Sequence, residues 1–302
     1  MSVARRSLKA SASRPRSTLT TVEVGGPSEL LAYRLVGREL TPDSTVIEVR
    51  GRRIGDGFFG LIAGPCTVET REQTLETARA VAAAGATVLR GGAFKPRTSP
   101  YAFQGLGSKG LEILAEAREE TGLPIVTELL DPRDVEEVAE VTDIIQIGAR
   151  NMQNFNLLAE VGRVPKPVLL KRAPAATVEE LLMAAEYVAK EGNERVILCE
   201  RGIKTFERST RYTLDLSAVP VLKRETHLPV IVDPSHAAGR SDLVLPLARA
   251  AVAAGADGVM IEVHPQPEDA LCDGPQQIRV GEFARFADEI RTLVALMGKT
   301  VG

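Results

Sequence analysis

The chain has 302 residues, carries 37 basic and 40 acidic side chains, and has a formal net charge of −3. This composition is typical of a globular protein, and the charge provides no overall attraction to nucleic acid or to an anionic membrane. No apolar run approaches the roughly 18 residues of a membrane span, and three scattered cysteines predict a reduced, cytoplasmic protein without a disulfide framework.

The first 56 residues differ in composition from the rest of the chain. Residues 1–22 contain five basic residues, many serines and threonines and no acidic residue, which predicts a disordered basic tail, with a transit peptide as the alternative. Residues 23–56 form an N-terminal extension in which the segments 45–49 and 52–54 flank Gly51, a pattern typical of a β-hairpin. We expect this hairpin to cover the N-terminal mouth of a catalytic domain formed by residues 57–302.

From residue 57 onward, short apolar segments alternate with longer amphipathic ones. The short segments are rich in valine, isoleucine and leucine without polar alternation, as expected of parallel strands that are buried on both faces. They lie at residues 59–63, 87–89, 124–127, 144–147, 167–170, 195–199, 229–232 and 258–261. The longer segments have helical spacing, for example 71–84, 109–121, 178–191, 241–254 and 281–297. Several end at a glycine that predicts the helix terminus: Gly85, Gly122, Gly192 and Gly255.

Eight strand–helix units in roughly 240 residues predict an α/β protein with the (β/α)8 TIM-barrel fold. A doubly wound open sheet is the alternative, but such a sheet usually has fewer strands, and a dinucleotide-binding one carries a glycine fingerprint at its first helix. The sequence contains no such fingerprint. We therefore predict a closed barrel that is preceded by a short extension and a hairpin.

Polar residues follow directly after all eight predicted strands, and a barrel places these strand ends on one face, where barrel active sites form. Seven of them are basic: Arg90, Lys95, Arg97, Arg150, Lys171, Arg172 and Arg201. Arginine binds carboxylate and phosphate through paired hydrogen bonds, and lysine contributes a point charge. The cluster is too compact for a duplex, and an aromatic content of 4% offers few stacking partners for single strands. We expect small phosphorylated substrates rather than nucleic acid.

Four potential metal ligands follow strands that become neighbours when the barrel closes. Cys66 follows the first strand, His236 the seventh and Glu262 the eighth, and Asp273 lies in the loop after the eighth. A thiolate, an imidazole and two carboxylates suit a borderline divalent ion such as Mn, Fe, Co or Zn. Two neighbours compete for the place given to Asp273, namely His264 and Cys272. The sequence thus predicts a metal site in the mouth of the barrel.

Eight short motifs along residues 57–298 closely resemble those of the type Iβ 3-deoxy-D-arabino-heptulosonate 7-phosphate (DAHP) synthases, the first enzymes of the shikimate pathway. They are Gly64-Pro65-Cys66, Leu89-Arg90-Gly91-Gly92, Lys95-Pro96-Arg97-Thr98-Ser99, Ile147-Gly148-Ala149-Arg150-Asn151, Leu170-Lys171-Arg172, Cys199-Glu200-Arg201-Gly202, Asp233-Pro234-Ser235-His236 and Ile261-Glu262-Val263-His264-Pro265. Each motif is weak by itself, but the ordered set is specific. Two departures are Ala173-Pro174, where the family commonly has glycine, and the missing ferredoxin-like regulatory domain of many relatives.

The resemblance implies condensation of phosphoenolpyruvate with erythrose 4-phosphate and water, with release of phosphate. It implies a divalent metal held by Cys66, His236, Glu262 and Asp273. It implies phosphoenolpyruvate contacts from Arg90, Lys95, Arg150, Lys171 and Arg201, and erythrose 4-phosphate contacts from Lys95, Arg97, Thr98 and Ser99. Our candidate catalytic residues are Lys95, Glu128, Lys171 and His236, with Glu128 and Lys171 handling the proton of water. We expect a homodimer or a homotetramer.

Three other functions stay open at this stage. A 3-deoxy-manno-octulosonate 8-phosphate synthase has the same fold and uses arabinose 5-phosphate, but its relatives resemble Lys-Ala-Asn-Arg where this chain has Lys95-Pro96-Arg97-Thr98. A Schiff-base aldolase would use Lys171 as its nucleophile. A catalytically inactive barrel would bind metabolites only.

Overall fold

The computed structural model describes residues 33–302, so the tail predicted at residues 1–22 and the first part of the extension lie outside the described residues. The described chain begins with a short segment followed by an antiparallel hairpin of β1 (Ile47–Val49) and β2 (Arg52–Ile54). Arg50 and Gly51 form its turn with positive φ angles of 46° and 76°. The hairpin is therefore present where the sequence predicts it.

Within residues 33–302, eight parallel strands form a closed barrel. They are β3 (Phe58–Gly64), β4 (Val88–Arg90), β5 (Ile125–Leu129), β6 (Ile144–Ile147), β7 (Val168–Lys171), β8 (Val196–Glu200), β9 (Val230–Val232) and β10 (Gly258–His264). Each strand pairs with the next in sequence, and the pairing of β10 with β3 closes the barrel, with Glu262 beside Gly64. The TIM-barrel prediction is confirmed. Two further short strands pair in parallel with the barrel: β11 (Ile278–Arg279) with β10, and β12 (Thr300–Val301) with β3.

Helices surround the barrel and follow the predicted pattern closely. They are α1 (Arg71–Ala83), α2 (Ser108–Thr121), α3 (Val135–Val141), α4 (Phe155–Gly162), α5 (Val178–Lys190), α6 (Ala218–Glu225), α7 (Pro234–Ala238), α8 (Val244–Ala253) and α9 (Val280–Leu296). The helix α5 begins with a capping box between Thr177 and Glu180, as its sequence favours. Among residues 33–302, no helix is long and apolar enough to cross a membrane.

The interior of the barrel is built in two layers because side chains two residues apart on a strand face the same side. The lower layer is apolar and consists of Ile62, Val88, Val126, Ile144, Leu169, Ile197, Ile231 and Met260. Three hairpin residues belong to the same buried cluster: Ile47, Val49 and Ile54. The hairpin therefore closes the N-terminal end of the barrel, as predicted.

Two residues further along the strands, the inward-facing layer becomes polar. It contains Arg90, Glu128, Gln146, Lys171 and Glu262, and Cys199 on β8 occupies the corresponding position. The alternate positions face outward and pack against the helices, for example Leu61, Leu170 and Ile261. This upper layer lies beneath the C-terminal mouth and forms the floor of the candidate site.

The hairpin gives a stability prediction. Ile54 is 1% exposed and packs against the backbone of Gly60 at the base of the barrel. Ile54→Ala should lower the free energy of unfolding by about 2–5 kcal/mol, because it opens a cavity that the closed barrel cannot refill. The exposed Leu40 is the control, since it is 58% exposed, and Leu40→Ala should change stability by less than about 0.5 kcal/mol. Urea unfolding measures both, and equal effects would show that the hairpin is not part of the core.

Candidate active site

A group of charged side chains surrounds a cavity of about 370 Å³ at the C-terminal mouth of the barrel. Six basic residues line this cavity: Lys95, Arg97, Arg150, Lys171, Arg201 and Arg211. Glu128, His236 and Asp273 also line it, as do Thr98 and Ser99. A mouth with this excess of cations attracts small anions more strongly than the net charge of the chain suggests.

Arg172 and Arg90 do not belong to the cavity wall. Arg172 points away from the axis and pairs with Glu200 at 3.0 Å and Asp215 at 2.8 Å, so its prediction as a basic residue of the mouth is wrong. Arg90 lies in the floor, where its Nη1 donates to Glu262 Oε1 at 2.9 Å. Nε of Arg90, like Nη1 of Arg201, is buried without a partner among residues 33–302. Both arginines thus retain a donor for a bound anion.

The four predicted ligand residues converge on one side of the cavity. Atoms of His236, Glu262 and Asp273 lie within 4.8 Å of one another, and so do atoms of Cys66, Cys272 and Asp273. His236 Nε2 is 3.4 Å from Glu262 Oε1, and Cys66 Sγ is 3.5 Å from Asp273 Oδ2. Asp273 is common to both groups and therefore lies at the centre of the set. His264, the other rival, instead faces Glu69 with Nε2 at 3.5 Å.

His236 is oriented by a buried ion pair that the sequence prediction did not include. Asp233 accepts from His236 Nδ1 at 2.7 Å and from Lys171 Nζ at 2.6 Å. Burial lowers the pKa of His236 to about 4 despite the neighbouring carboxylates, so the ring is neutral near neutral pH. Burial opposes ionisation of Asp233, but the charge of Lys171 and the hydrogen bonds from His236 outweigh it and hold the pKa of that carboxyl well below its usual range. Nε2 of His236 is then left with its lone pair toward Glu262, as metal-binding histidines require.

Cys66 and Asp273 share a lysine neighbour. Lys95 Nζ lies 2.8 Å from Cys66 Sγ and 3.1 Å from Asp273 Oδ2. Burial raises the pKa of the Cys66 thiol well above its ordinary value, so thiolate formation there requires a further positive charge close to the sulfur. Burial alone would raise the pKa of Asp273, but the neighbouring Lys95 outweighs burial and lowers it.

Cys272 is closer to this group than its loop position suggests. It is 2% exposed, and Arg97 Nη1 lies 3.1 Å from its sulfur. A hydrogen bond from Cys66 lowers the pKa of Cys272 to about 7. Cys272 therefore links the donor set to the predicted acceptor segment at Lys95–Ser99, although no ligand role was predicted for it.

Sequence reasoning missed five residues that shape the site. Asp233, Gln276 and Gln277 contact the ligand residues, whereas Arg211 and Tyr212 belong to the cavity wall. The Tyr212 ring lies 4.3 Å from the guanidinium of Arg201 and so fixes its plane. Of these five residues, only Asp233 could have been identified from the sequence, because it occupies the inward position directly after β9.

The donor set is chemically suited to a divalent ion. One sulfur, one imidazole nitrogen and two carboxylates come from neighbouring elements, and all four residues have at most about a fifth of their side chains exposed. Such a mixed set matches Mn, Fe, Co or Zn better than Mg or Ca, which prefer oxygen ligands alone. The cation-lined cavity beside it can hold a carboxylate and phosphates.

Together, the barrel, its charged upper layer and its cationic mouth define a (β/α)8-barrel enzyme that acts on small anionic substrates. Comparison with known proteins narrows this class. Residues 43–297 match the model of the DAHP synthetase I family, and the chain belongs to that family.

Individual relatives agree with this assignment. The chain is 56% identical to phospho-2-dehydro-3-deoxyheptonate aldolase of Thermotoga maritima. The match extends over 272 residues, which are 90% of this chain and 80% of the relative. A crystal structure of DAHP synthase from the same organism superimposes with a TM-score of 0.87 at 55% identity, covering 89% of this chain and 79% of that one. A 2-dehydro-3-deoxyphosphooctonate aldolase of Syntrophobacter fumaroxidans is 33% identical, over 84% of this chain and 94% of its own.

The buried neutral His236 predicts a pH dependence of stability. The pKa of His236 is about 4 in the folded chain and near the ordinary value of 6.5 in the unfolded chain. Between these values the unfolded chain holds more protons, so the free energy of unfolding should fall as the pH drops from 6.5 to 4. His236 should account for about 3 kcal/mol of the fall in the free energy of unfolding over this pH range.

Urea unfolding of wild type and His236→Gln in the presence of chelator measures this effect. The variant should show the flatter pH profile in this window. Parallel profiles would mean that His236 is not buried in its neutral form.

Proposed function

We propose that this chain condenses phosphoenolpyruvate with erythrose 4-phosphate and water to give DAHP and inorganic phosphate, in the cytoplasm. The observation that carries this proposal is the position of the cationic cavity directly beside the Cys66–His236–Glu262–Asp273 donor set. The 56% identity to phospho-2-dehydro-3-deoxyheptonate aldolase supports the same reaction.

The first task of the cavity is to hold two anions close together. Each substrate carries a phosphate, and phosphoenolpyruvate also carries a carboxylate, so the substrates repel one another in water. Arg150, Lys171 and Arg201 line this cavity and would bind phosphoenolpyruvate. Arg97, Thr98 and Ser99 line the wall next to Lys95 and would bind the acceptor phosphate. Fixing both reactants in this way can contribute about 7–11 kcal/mol to catalysis.

The reaction joins C3 of phosphoenolpyruvate to the aldehyde carbon of the acceptor, while water adds to C2 and the C2–O bond to phosphate breaks. Cys66, His236, Glu262 and Asp273 would hold a divalent ion, which would supply a Lewis acid for the aldehyde oxygen. Lys95 lies beside two of these residues and would donate to the same oxygen as negative charge develops there.

We propose that Glu128 accepts the proton of the attacking water. Its carboxylate lines the cavity, and Gln146 Nε2 donates to its Oε2 at 3.1 Å. Gly148 permits this placement, because a Cβ atom there would lie 1.9 Å from Glu128 Oε1. Lys171 lines the same cavity and is the second residue that we propose for handling this proton.

Two of the alternatives are less well supported. The Lys171 ammonium is ion-paired with Asp233 at 2.6 Å, which stabilises the charged form that cannot attack a carbonyl. A metabolite-binding barrel would not need the complete donor set beside the cavity. Borohydride treatment with phosphoenolpyruvate should therefore leave the protein unmodified. The oligomeric state stays a prediction, namely a homodimer or a homotetramer.

Acceptor choice gives the next prediction. Erythrose 4-phosphate should be used with a kcat/KM at least about 100-fold above that of arabinose 5-phosphate, since Lys95–Ser99 forms the acceptor wall. Arg97→Ala should mainly raise the KM for the acceptor. Arg133→Ala is the control because Arg133 is 86% exposed and pairs with Asp131 away from the cavity. An assay of phosphate release measures the reaction with each sugar. Equal kcat/KM values for the two sugars would assign the chain to the octulosonate enzymes.

Metal dependence gives a further prediction. Cys66→Ala should abolish phosphate release, with a loss larger than the 10- to 100-fold typical of an outer-shell change. Cys199→Ala is the matched control, since Cys199 is equally buried but contacts none of the four ligand residues. Chelator should silence wild type, and Mn, Co or Zn should restore it.

Two results would contradict this prediction. Activity of Cys66→Ala after exhaustive chelation would exclude metal-dependent chemistry. Loss of activity in Cys272→Ala with Cys66→Ala still active would instead move the sulfur ligand to the loop after β10.

A further inference from the structure

Gln276 is buried between a predicted metal ligand and the cavity wall. It is 2% exposed and lies in the short 3-10 turn Gly274–Gln276 that follows Asp273. Its Nε2 donates to Glu262 Oε2 at 2.6 Å, and its Oε1 accepts from Arg211 Nη1 at 3.0 Å. The side chain therefore connects a residue that lines the substrate cavity to a carboxylate of the donor set.

The orientation of this amide is determined by its partners. A guanidinium can only donate hydrogen bonds and an ionised carboxylate can only accept them. The carbonyl oxygen of Gln276 must therefore face Arg211, and its NH2 group must face Glu262. A glutamine suits this position because it is neutral and offers both functions at the required separation.

The contact also determines which oxygen of Glu262 faces the other ligand residues. Oε2 is occupied by Gln276, whereas Oε1 lies 3.4 Å from His236 Nε2 and 2.9 Å from Arg90 Nη1. The backbone N–H of Glu262 donates to Ser235 Oγ, which fixes the strand at this point. Rotation of the carboxylate would break the bond to Gln276.

The next residue, Gln277, connects the other half of the donor set. Its Oε1 accepts from the backbone N–H of Cys66 at 3.1 Å, and its Nε2 donates to the carbonyl of Cys272 at 2.9 Å. Asp273, which begins the same turn, has a φ angle of 51° in the left-handed region that costs a non-glycine residue about 1 kcal/mol or more. The side chains of two consecutive glutamines thus contact Glu262, Cys66 and the residue before Asp273.

We propose that Gln276 is a positioning residue that presents Oε1 of Glu262 to the donor set and couples that carboxylate to Arg211. The inference rests on the proposed metal site, because a role in positioning Glu262 matters only if Glu262 binds an ion. Hydrogen-bond partners of metal ligands typically change metal affinity by about 10- to 100-fold when they are removed.

The test is calorimetric titration of metal-free protein with Mn²⁺, together with the visible absorption of the Co²⁺-loaded protein. Gln276→Met keeps the length and burial of the side chain but removes both hydrogen bonds. It should bind Mn²⁺ about 10- to 100-fold more weakly and shift the Co²⁺ bands, because one ligand is no longer held in place. Gln276→Asn keeps the amide but is too short to reach both partners, so it should weaken binding as well.

Gln146→Met is the matched control. Gln146 is 4% exposed and also donates to a carboxylate, Glu128, which is not a predicted ligand. Its Mn²⁺ affinity and Co²⁺ spectrum should equal those of wild type. If Gln276→Met does not fold, as judged by circular dichroism, the asparagine variant decides the question.

The possible failures are distinguishable. Wild-type protein that binds neither ion would overturn the metal site and this inference with it. Wild-type binding together with unchanged affinity and spectrum in both Gln276 variants would overturn the positioning role alone. Equal weakening by Gln146→Met would also overturn it, since the effect would then reflect any lost buried amide.

Discussion

Lys171 and Asp233 form a buried ion pair at the mouth of the barrel, 2.6 Å apart and each at most 5% exposed. A buried charge without a partner costs several kcal/mol, so the ionic upper layer can exist only if its members are paired. Arg90 with Glu262 satisfies the same requirement between β4 and β10. These pairs hold their side chains in place before any substrate arrives, and Asp233 also orients His236. A preorganised site of this kind needs little rearrangement during reaction.

The order of strands divides the mouth into two halves. The ligand residues follow β3, β9 and β10, and β3 lies beside β10 only because the barrel closes. The cations of the opposite half follow β4, β6, β7 and β8, where their charges face the cavity. Lys95 reaches from the cationic half to Cys66 and Asp273 and so connects the two halves. The geometry therefore places the anion-binding wall next to the proposed electrophilic centre.

The sequence predicted the fold well because the barrel depends on local periodicity. Eight apolar runs, helical spacing and the terminating Gly85 and Gly122 are properties of short segments. The error at Arg172 was avoidable, since consecutive residues of a strand face opposite sides and Lys171 already faces inward. Gln276 and Gln277 could not be predicted in this way. Their partners are 14 and 211 residues distant in sequence, and only the folded loop brings them together.

A crystal structure of the protein grown with Mn²⁺ and phosphoenolpyruvate, with the ion located by its anomalous scattering, tests the proposed metal site and substrate cavity together. One strong peak should lie within bonding distance of Cys66 Sγ, His236 Nε2 and a carboxylate oxygen of both Glu262 and Asp273. Phosphoenolpyruvate should lie against the cationic wall of the same cavity. A peak that lacks Cys66 and Glu262 as ligands, or phosphoenolpyruvate bound elsewhere, would show that the proposed site is wrong.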